Sequence, residues 1–587
     1  MCGIIGIAGL GIDKKEALAL PLEKLTLRGP DDSGIARFSG AILGHTRLAV
    51  IDLSDAGHQP MRDDAHQNTI VFNGEIYNYQ EVRVDLEKKG HIFASHSDTE
   101  VILKAYAEYG EACVEHLDGQ FAFAIWDDTD KKLFLARDRF GEKPLYIAQA
   151  NNILLFASEI KAILATGLVQ PEIDPVSIDN YLALLYVPPW RSIYMNIAPL
   201  EAGHRAVWQN NKLSTERYWK LIKKPENISL HDAAEQVRKM LTDSVRSRMV
   251  ADVEVGAFLS GGIDSSIVVR LAQQMSEKKI KTFSGGFEDA INELSFAEEV
   301  AELSGTDHTS AQMHDNLLKT FLDVTTYFDE PFADSSNVPT SLISKLAREK
   351  VKVALSGDGG DELFWGYGQY TRYNHLPKLQ ALGNLLTGAD AFKFYKQTFL
   401  NTFSVSERMK LLKNPSTLEK DPTAHLDYSE AHTPLEKINL TDFYLGLPGD
   451  MLTKVDRSSM MRSLEVRSPF LNHKLAQFAY NLPPEYKTDG RRGKIILEKA
   501  FGDLLPPGFF TRKKQGFGAP VYEWLHKPEM RAYVEDIFSN EPRVAQHLNI
   551  NTARSYIKRV YEGDRSVQYK AWVLVALETW FRTRTII

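Results

Sequence analysis

The chain has 587 residues, 43% of them hydrophobic and 25% charged, the balance of an ordinary globular protein long enough for two or more domains. A net charge of −8 and a pI near 6.1 exclude nucleic-acid binding as its main business; RKK at 512–514 is one short basic cluster. No run reaches the roughly 18 apolar residues of a membrane span, and two cysteines predict a reducing, cytoplasmic setting without a disulfide framework.

Cys2 directly follows the initiator Met, in an opening stretch with no charged leader of the kind a signal peptide carries. Small second residues usually let the Met be trimmed. Trimming would leave a thiol and a free α-amine on one residue. The amine, with an ordinary pKa of about 7.7–8, can relay the thiol's proton near neutral pH.

Apolar and alternating runs then predict short strands: CGIIGIAG, AILGHTRLAV, NTIVFNGEIYN, GQFAFAIWD, KKLFLARD and ILLFAS. Two helical patterns interrupt them. Gln80–Lys89 precedes Gly90, and Asp98–Tyr109 precedes Gly110, which is expected to cap it. Sheets facing one another with helices outside is the layered arrangement this predicts. Four polar loops punctuate it: Arg28-Gly29-Pro30-Asp31, Gly44–Leu48, Phe72–Asn78 and Ser97–Glu100. An Asn-Gly pair alone is only a good turn; here it accompanies an N-terminal cysteine.

Together with ARDRFGEKPLY (136–146) and FASEIKAIL (156–164), these residues resemble the class II glutamine amidotransferases, a family of N-terminal-nucleophile hydrolases, over residues 1–219. The resemblance implies an αββα sandwich. It implies that Cys2 attacks the glutamine side-chain amide, that the Asn73 side chain and the Gly74 backbone N–H form an oxyanion hole, and that ammonia is released. It places Arg47, Leu48, Ala49, Val50, Ile51, Asn73, Gly74, Glu75 and Asp98 around glutamine. Arg47 would hold the α-carboxylate, and Glu75 and Asp98 the α-ammonium.

From about Ile228 the pattern shifts to long helices and a few buried strands. Val253–Leu259 reads as a strand, Ser260–Ser266 as a Gly-rich loop with hydroxyls, and Ile267–Met275 as a helix. Strand, loop and helix N-terminus make an anion cradle, and no Gly-Lys-Ser/Thr closes it as in a Walker loop. Thr282–Phe287 and Val351–Leu355 read as further strands, the latter entering Ser356–Glu362. Strands alternating with helices predict a parallel, doubly wound sheet with ligands beyond the strands' carboxyl ends.

SGGxDSS resembles the PP-loop of the ATP pyrophosphatases. With DEPFADSSNVPT (329–340), SGDGGDELF (356–364), DMLTKVDRSSM (450–460), SLEVRSPFL (463–471) and KKQGFGAP (513–520), the whole chain resembles the glutamine-hydrolysing asparagine synthetase family, residues 220–587 forming its synthetase domain. That resemblance implies ATP as co-substrate and Mg²⁺ as metal. Leu259, Ser260, Gly261, Gly262, Asp264, Ser265, Ser266, Gly285, Ser356 and Gly357 would bind ATP. Asp264 and Asp361 would be the metal carboxylates. Asp358 stands where the family carries an acidic residue for adenylation, and Lys494 resembles the lysine that stabilises the developing charge.

Four positions depart from the family pattern: Gly285, Trp365, Asn472 and Glu498. The expected function is asparagine synthesis, and the alternative is the same chemistry on another carboxylate, such as a uronic acid of a surface polysaccharide. A tRNA-modifying PP-loop enzyme and a non-catalytic glutamine sensor are rivals. The acidic charge disfavours the first, and the nucleophile and metal carboxylates disfavour the second. The partners expected are small molecules, with no nucleic acid and no membrane; a homodimer is left open. No HExxH or Cys/His cluster predicts a zinc site.

Overall fold

A computed structural model describes residues 1–9, 18–286, 294–312, 316–374, 391–512 and 519–584. Two six-stranded sheets open the chain. The first orders its strands Ile197–Pro199, Tyr146–Ala150, Ile153–Ala157, Gly3–Gly9, Ala41–Arg47 and Asp32–Phe38. The second runs Lys212–Arg217, His204–Gln209, Lys132–Arg137, Gly119–Asp127, Asn68–Ile76 and Met61–Asp63. All neighbours within both sheets are antiparallel.

The period of two along each strand builds the layers. Ile4, Ala8, Leu43, Leu154 and Phe156 of the first sheet meet Val71, Ala122, Ala124, Leu135 and Trp208 of the second. The alternate residues Ile5, Ile7, Ile42 and Leu155 face outward, on the side of the helices Ala19–Glu23 and Ile160–Ala165, in a hydrophobic cluster that extends to the C-terminal Gln568–Thr583. Phe72, Phe121, Phe123 and Phe134 face outward from the second sheet, against the helices Tyr79–Lys88 and Asp98–Tyr109. Gly110 caps the latter at φ +59°.

A third sheet of five parallel strands orders Asp307–Gln312, Lys281–Gly286, Val255–Phe258, Val353–Leu355 and Glu465–Arg467. Its earliest strand lies in the middle. The chain adds two strands on one side and then crosses to the other, so the order reverses between Val255–Phe258 and Val353–Leu355. Such a reversal opens a crevice at the carboxyl ends of those strands. Helices cover both faces: Leu230–Arg248 and Ile263–Met275 on one, Asn337–Arg348 on the other.

Several sequence expectations are corrected here. The helix after the first Gly-rich loop begins at Ile263, immediately after Gly262, not at Ile267. The strand before it is shorter, Val255–Phe258, and the later one is Val353–Leu355. Strands such as Asp32–Phe38, Lys212–Arg217 and Asp307–Gln312 carry exposed or half-exposed polar residues at a sheet edge, and their pattern escapes the apolar criterion. Phe287 and residues 513–518, most of the KKQGFGAP motif, lie outside the described residues.

Among the described residues, no helix is long and apolar enough to cross a membrane.

Candidate active sites

Cys2 is buried at the head of the strand Gly3–Gly9. Its backbone N–H donates to Asn73 Oδ1 at 2.9 Å, and the Leu48 backbone N–H faces its thiol. Burial pushes that thiol above the ordinary cysteine range, so a free thiolate needs a base. Asn73 is 0% exposed, and its Nδ2 has no hydrogen-bond partner. A buried donor without an acceptor is a costly feature to keep in a folded chain. Gly74 follows, where an added Cβ would lie 2.1 Å from the Gln120 carbonyl oxygen, so only glycine lets this strand approach its neighbour.

Arg47 lies at the end of the strand beside Cys2, its guanidinium bonded to the carbonyls of Ser54 at 3.1 Å and of Asp52. Leu48, Val50 and Ile51 point their side chains into a cluster with Val353 of the parallel sheet, and Ala49 donates its N–H to Asp31. Those four therefore offer a ligand their backbone more than their side chains. Asp98 accepts from the Ile76 N–H at 3.0 Å; burial, with the nearby Glu465, raises its carboxyl to about 6. Glu75 is held well above the ordinary carboxylate range by burial and by Glu465.

Residues not singled out in the sequence complete this region. Arg467 reaches back from the parallel sheet to Glu75 at 3.3 Å and Glu465 at 2.6 Å. Glu465 also takes the α-ammonium of Met1 at 2.7 Å, with both groups fully buried. Arg28 donates to the Cys2 carbonyl at 3.1 Å and grips Asp456 with two bonds of 2.8 and 3.0 Å, and Glu159 with one of 3.1 Å. Arg457 pairs with the same Glu159 at 2.9 Å. The two sandwich sheets and the parallel sheet are thus joined by buried charges. RGPD and SLEVRSPFL contain Arg28, Glu465 and Arg467, and that was the available signal.

The second site lies where the parallel sheet reverses. Leu259 donates its N–H to Phe283 O at 2.9 Å, and Gly285 sits two residues further along that neighbouring strand. Ser260 and Ser265 hydroxyls meet at 2.9 Å, and Gly261 turns the loop at φ +78°. Ser266 is fully buried in the helix and does not join the exposed lip of the loop. The Ser356–Gly360 loop packs directly on this one: a Cβ on Gly357 would lie 2.7 Å from Ser265 N, and one on Gly360 2.5 Å from Asp264 Cγ. Lys494 Nζ contacts Asp264 and Asp361, each at 2.5 Å. Burial alone would depress this lysine, but the two carboxylates hold it above the ordinary range. Asp358 is raised by burial and shares a hydrogen bond with Ser356.

The departures acquire local reasons. Asn472 caps the helix His473–Asn481 through Oδ1 while its Nδ2 donates to Asp118 at 2.9 Å; an aspartate could do only the first. Glu498 pairs with Arg492 at 2.5 Å. Trp365 adopts φ +57°, ψ +49°, a conformation glycine takes without strain, and is kept there by burial and by stacking on Tyr370 at 5.1 Å. Nothing in the structure explains Gly285.

The asparagine synthase family's sequence model matches residues 236–582, and that of the glutamine amidotransferase domain matches residues 1–219. Asparagine synthetase (glutamine-hydrolyzing) 1 of Bacillus subtilis (strain 168) is 33% identical, over 99% of this chain and 96% of that protein. Asparagine synthetase (glutamine-hydrolyzing) 3 of the same organism is 32% identical over 90% of this chain and 88% of its own. A protein named amidase chry2, from Gibberella zeae, is 27% identical over 87% of each chain.

Proposed function

Because this chain belongs to the asparagine synthase family and is a glutamine-hydrolysing ligase, we propose that it amidates the side-chain carboxylate of aspartate, using ATP and ammonia drawn from glutamine. Residues 1–219 would form the glutaminase domain and 220–587 the synthetase domain, the first an N-terminal-nucleophile sandwich and the second a PP-loop fold.

In the first half, loss of Met1 frees the α-amine of Cys2, which takes the proton of its own thiol. The thiolate sulfur attacks the glutamine amide carbon. Asn73 Nδ2 and the Gly74 N–H receive the negative oxygen, ammonia leaves, and water hydrolyses the thioester to glutamate. Arg47 orients the α-carboxylate, and Glu75 and Asp98 the α-ammonium. Preorganised donors of this kind are worth about 10²–10³ in rate. The unpartnered Nδ2 beside Cys2 supports this assignment.

In the second half, the aspartate side-chain carboxylate displaces pyrophosphate from the α-phosphorus of ATP. The ammonia nitrogen then attacks the acyl carbon, and AMP leaves with the bonding electrons. The Ser260–Ser265 and Ser356-Gly357 backbones would hold the phosphates, as Gly-rich turns at strand ends do. Asp264 and Asp361 converge on one positive centre, and two hard carboxylates so placed fit Mg²⁺. When bound, Mg²⁺ would neutralise charge on the phosphates. Lys494 lies beside both carboxylates and would steady the charge that develops on the leaving group; Asp358 would orient the acceptor.

The convergence of Asp264, Asp361 and Lys494 at the sheet's reversal is the observation that carries this reading. The test supplies purified protein with ATP, Mg²⁺, glutamine and either aspartate or a nucleotide-linked uronate. Pyrophosphate release with aspartate alone is expected. Release with the uronate alone would overturn the acceptor and leave the amidation chemistry standing.

A further inference from the structure

Next to the Asp358 loop lies a charge cluster with no part in the chemistry above. Lys454, on the helix Leu452–Met460, is 7% exposed, and its Nζ contacts Asp334 Oδ2 at 2.9 Å. Asp334 is itself held by the Ser336 N–H at 2.9 Å and the Ser336 hydroxyl at 2.8 Å. The Asp450 carboxyl shares a hydrogen bond with Asp334, and its Oδ1 is buried with no hydrogen-bond partner. Asp358 lies within the field of the same lysine, and Glu362 within that of Asp450. One residue past Ser336, Asn337 is 4% exposed and also leaves Oδ1 without a partner.

One ammonium thus faces Asp334, Asp450 and Asp358, an excess of negative charge beside the loop assigned to adenylation. Like charges gathered in a partly desolvated site oppose one another's ionisation, and burial already raises Asp450 well above its ordinary range. A bound cation relieves that repulsion. The lysine in the same cluster offers the complementary charge for an anion. A group carrying both charges two bonds apart fits such a cluster. A uronate linked to a nucleotide carries only negative charge and would be repelled by it.

We propose that Lys454, Asp334 and Asp450 are specificity-determining residues that read the zwitterionic head group of an α-amino acid acceptor, Lys454 taking its α-carboxylate and the two aspartates its α-ammonium. The inference rests on the amidation reading of the neighbouring loop and adds the reason why that loop would receive an amino acid. A site built for polar partners rejects an analogue lacking one of them far more strongly than an apolar pocket rejects a missing methylene.

The test needs only the wild-type chain with ATP, Mg²⁺ and ammonium, and four acceptors: aspartate, succinate, N-acetylaspartate and 3-aminopropionate. The first analogue lacks the ammonium, the second masks it, and the third lacks the α-carboxylate. Pyrophosphate release should fall at least about a hundredfold in kcat/KM with each. Asp334→Asn and Lys454→Met should raise KM for aspartate tenfold or more and leave KM for ATP within threefold, with glutaminase activity reporting that each variant is folded. Succinate used within tenfold of aspartate, or an unchanged aspartate KM in a folded variant, would overturn the head-group assignment while sparing the amidation reading. No pyrophosphate with any carboxylate, from protein that still hydrolyses glutamine, would overturn the amidation reading itself.

Discussion

Replacing Asn73 with Ala removes the proposed oxyanion donor together with the acceptor that holds the Cys2 nitrogen. Asn73 is fully buried, its Oδ1 accepts from the Cys2 N–H at 2.9 Å, and its Nδ2 has no partner. Deleting the side chain gives up one neutral hydrogen bond, a net loss of about 1 kcal/mol, and removes an unsatisfied donor that opposed folding by a similar amount. Stability should therefore stay within about 1 kcal/mol of the parent. Catalysis should respond differently, because Nδ2 gains its acceptor only as the amide oxygen becomes negative. Losing such a donor costs about 2.7–4 kcal/mol of transition-state stabilisation, a 10²–10³-fold fall in kcat. Glutamate release under saturating glutamine measures this, and ammonium-supported pyrophosphate release from the same sample is the control. A fall below tenfold, or an equal fall in both activities, would refute the assignment.

Asp264→Asn takes a charge from the pair around Lys494 with little change in shape, and should lower synthesis at least about a hundredfold with glutamine or ammonium. Glutaminase activity should persist in that variant; near-normal pyrophosphate release would remove Asp264 from the proposed metal site. Arg28→Met strands Asp456 and Glu159 without their buried partner and should destabilise the chain by about 3–5 kcal/mol in urea melts. A loss under about 1 kcal/mol would show that Arg457 and Lys143 carry the network alone. Asp98, raised to about 6, is ionised above that pH and neutral below it. An ammonium bound by Asp98 is therefore lost as pH falls, so KM for glutamine should climb between pH 7 and 5 and Asp98→Asn should flatten the climb. An unchanged pH profile in that variant would contradict the contact.

The strongest local signals were legible in the sequence because one force dominates each. Gly119–Asp127 alternates cleanly between two buried faces, and Asp98–Tyr109 has a serine cap before it and a glycine after it. The Gly-rich loops were legible too, since glycine alone allows Gly357 and Gly360 to press against Asp264 and Ser265. The polar edge strands were not, because half their residues meet solvent. Nor was the seam. Arg28 and Asp456 are 428 positions apart, and no periodicity announces such a pair. Lys454 reads in sequence as an ordinary helix lysine until Asp334, far upstream, is seen against it. Ser266 is the reverse case, a hydroxyl in the Gly-rich motif whose burial in the helix Ile263–Met275 no local pattern announces.

The central claim is that one chain holds two chemically independent sites, one making ammonia and one consuming it. Cys2→Ala tests it most directly, with aspartate-dependent pyrophosphate release measured on one folded sample given glutamine or ammonium. The account predicts no release with glutamine and near-parental release with ammonium. Loss of both activities, or survival of the glutamine-dependent one, would contradict it.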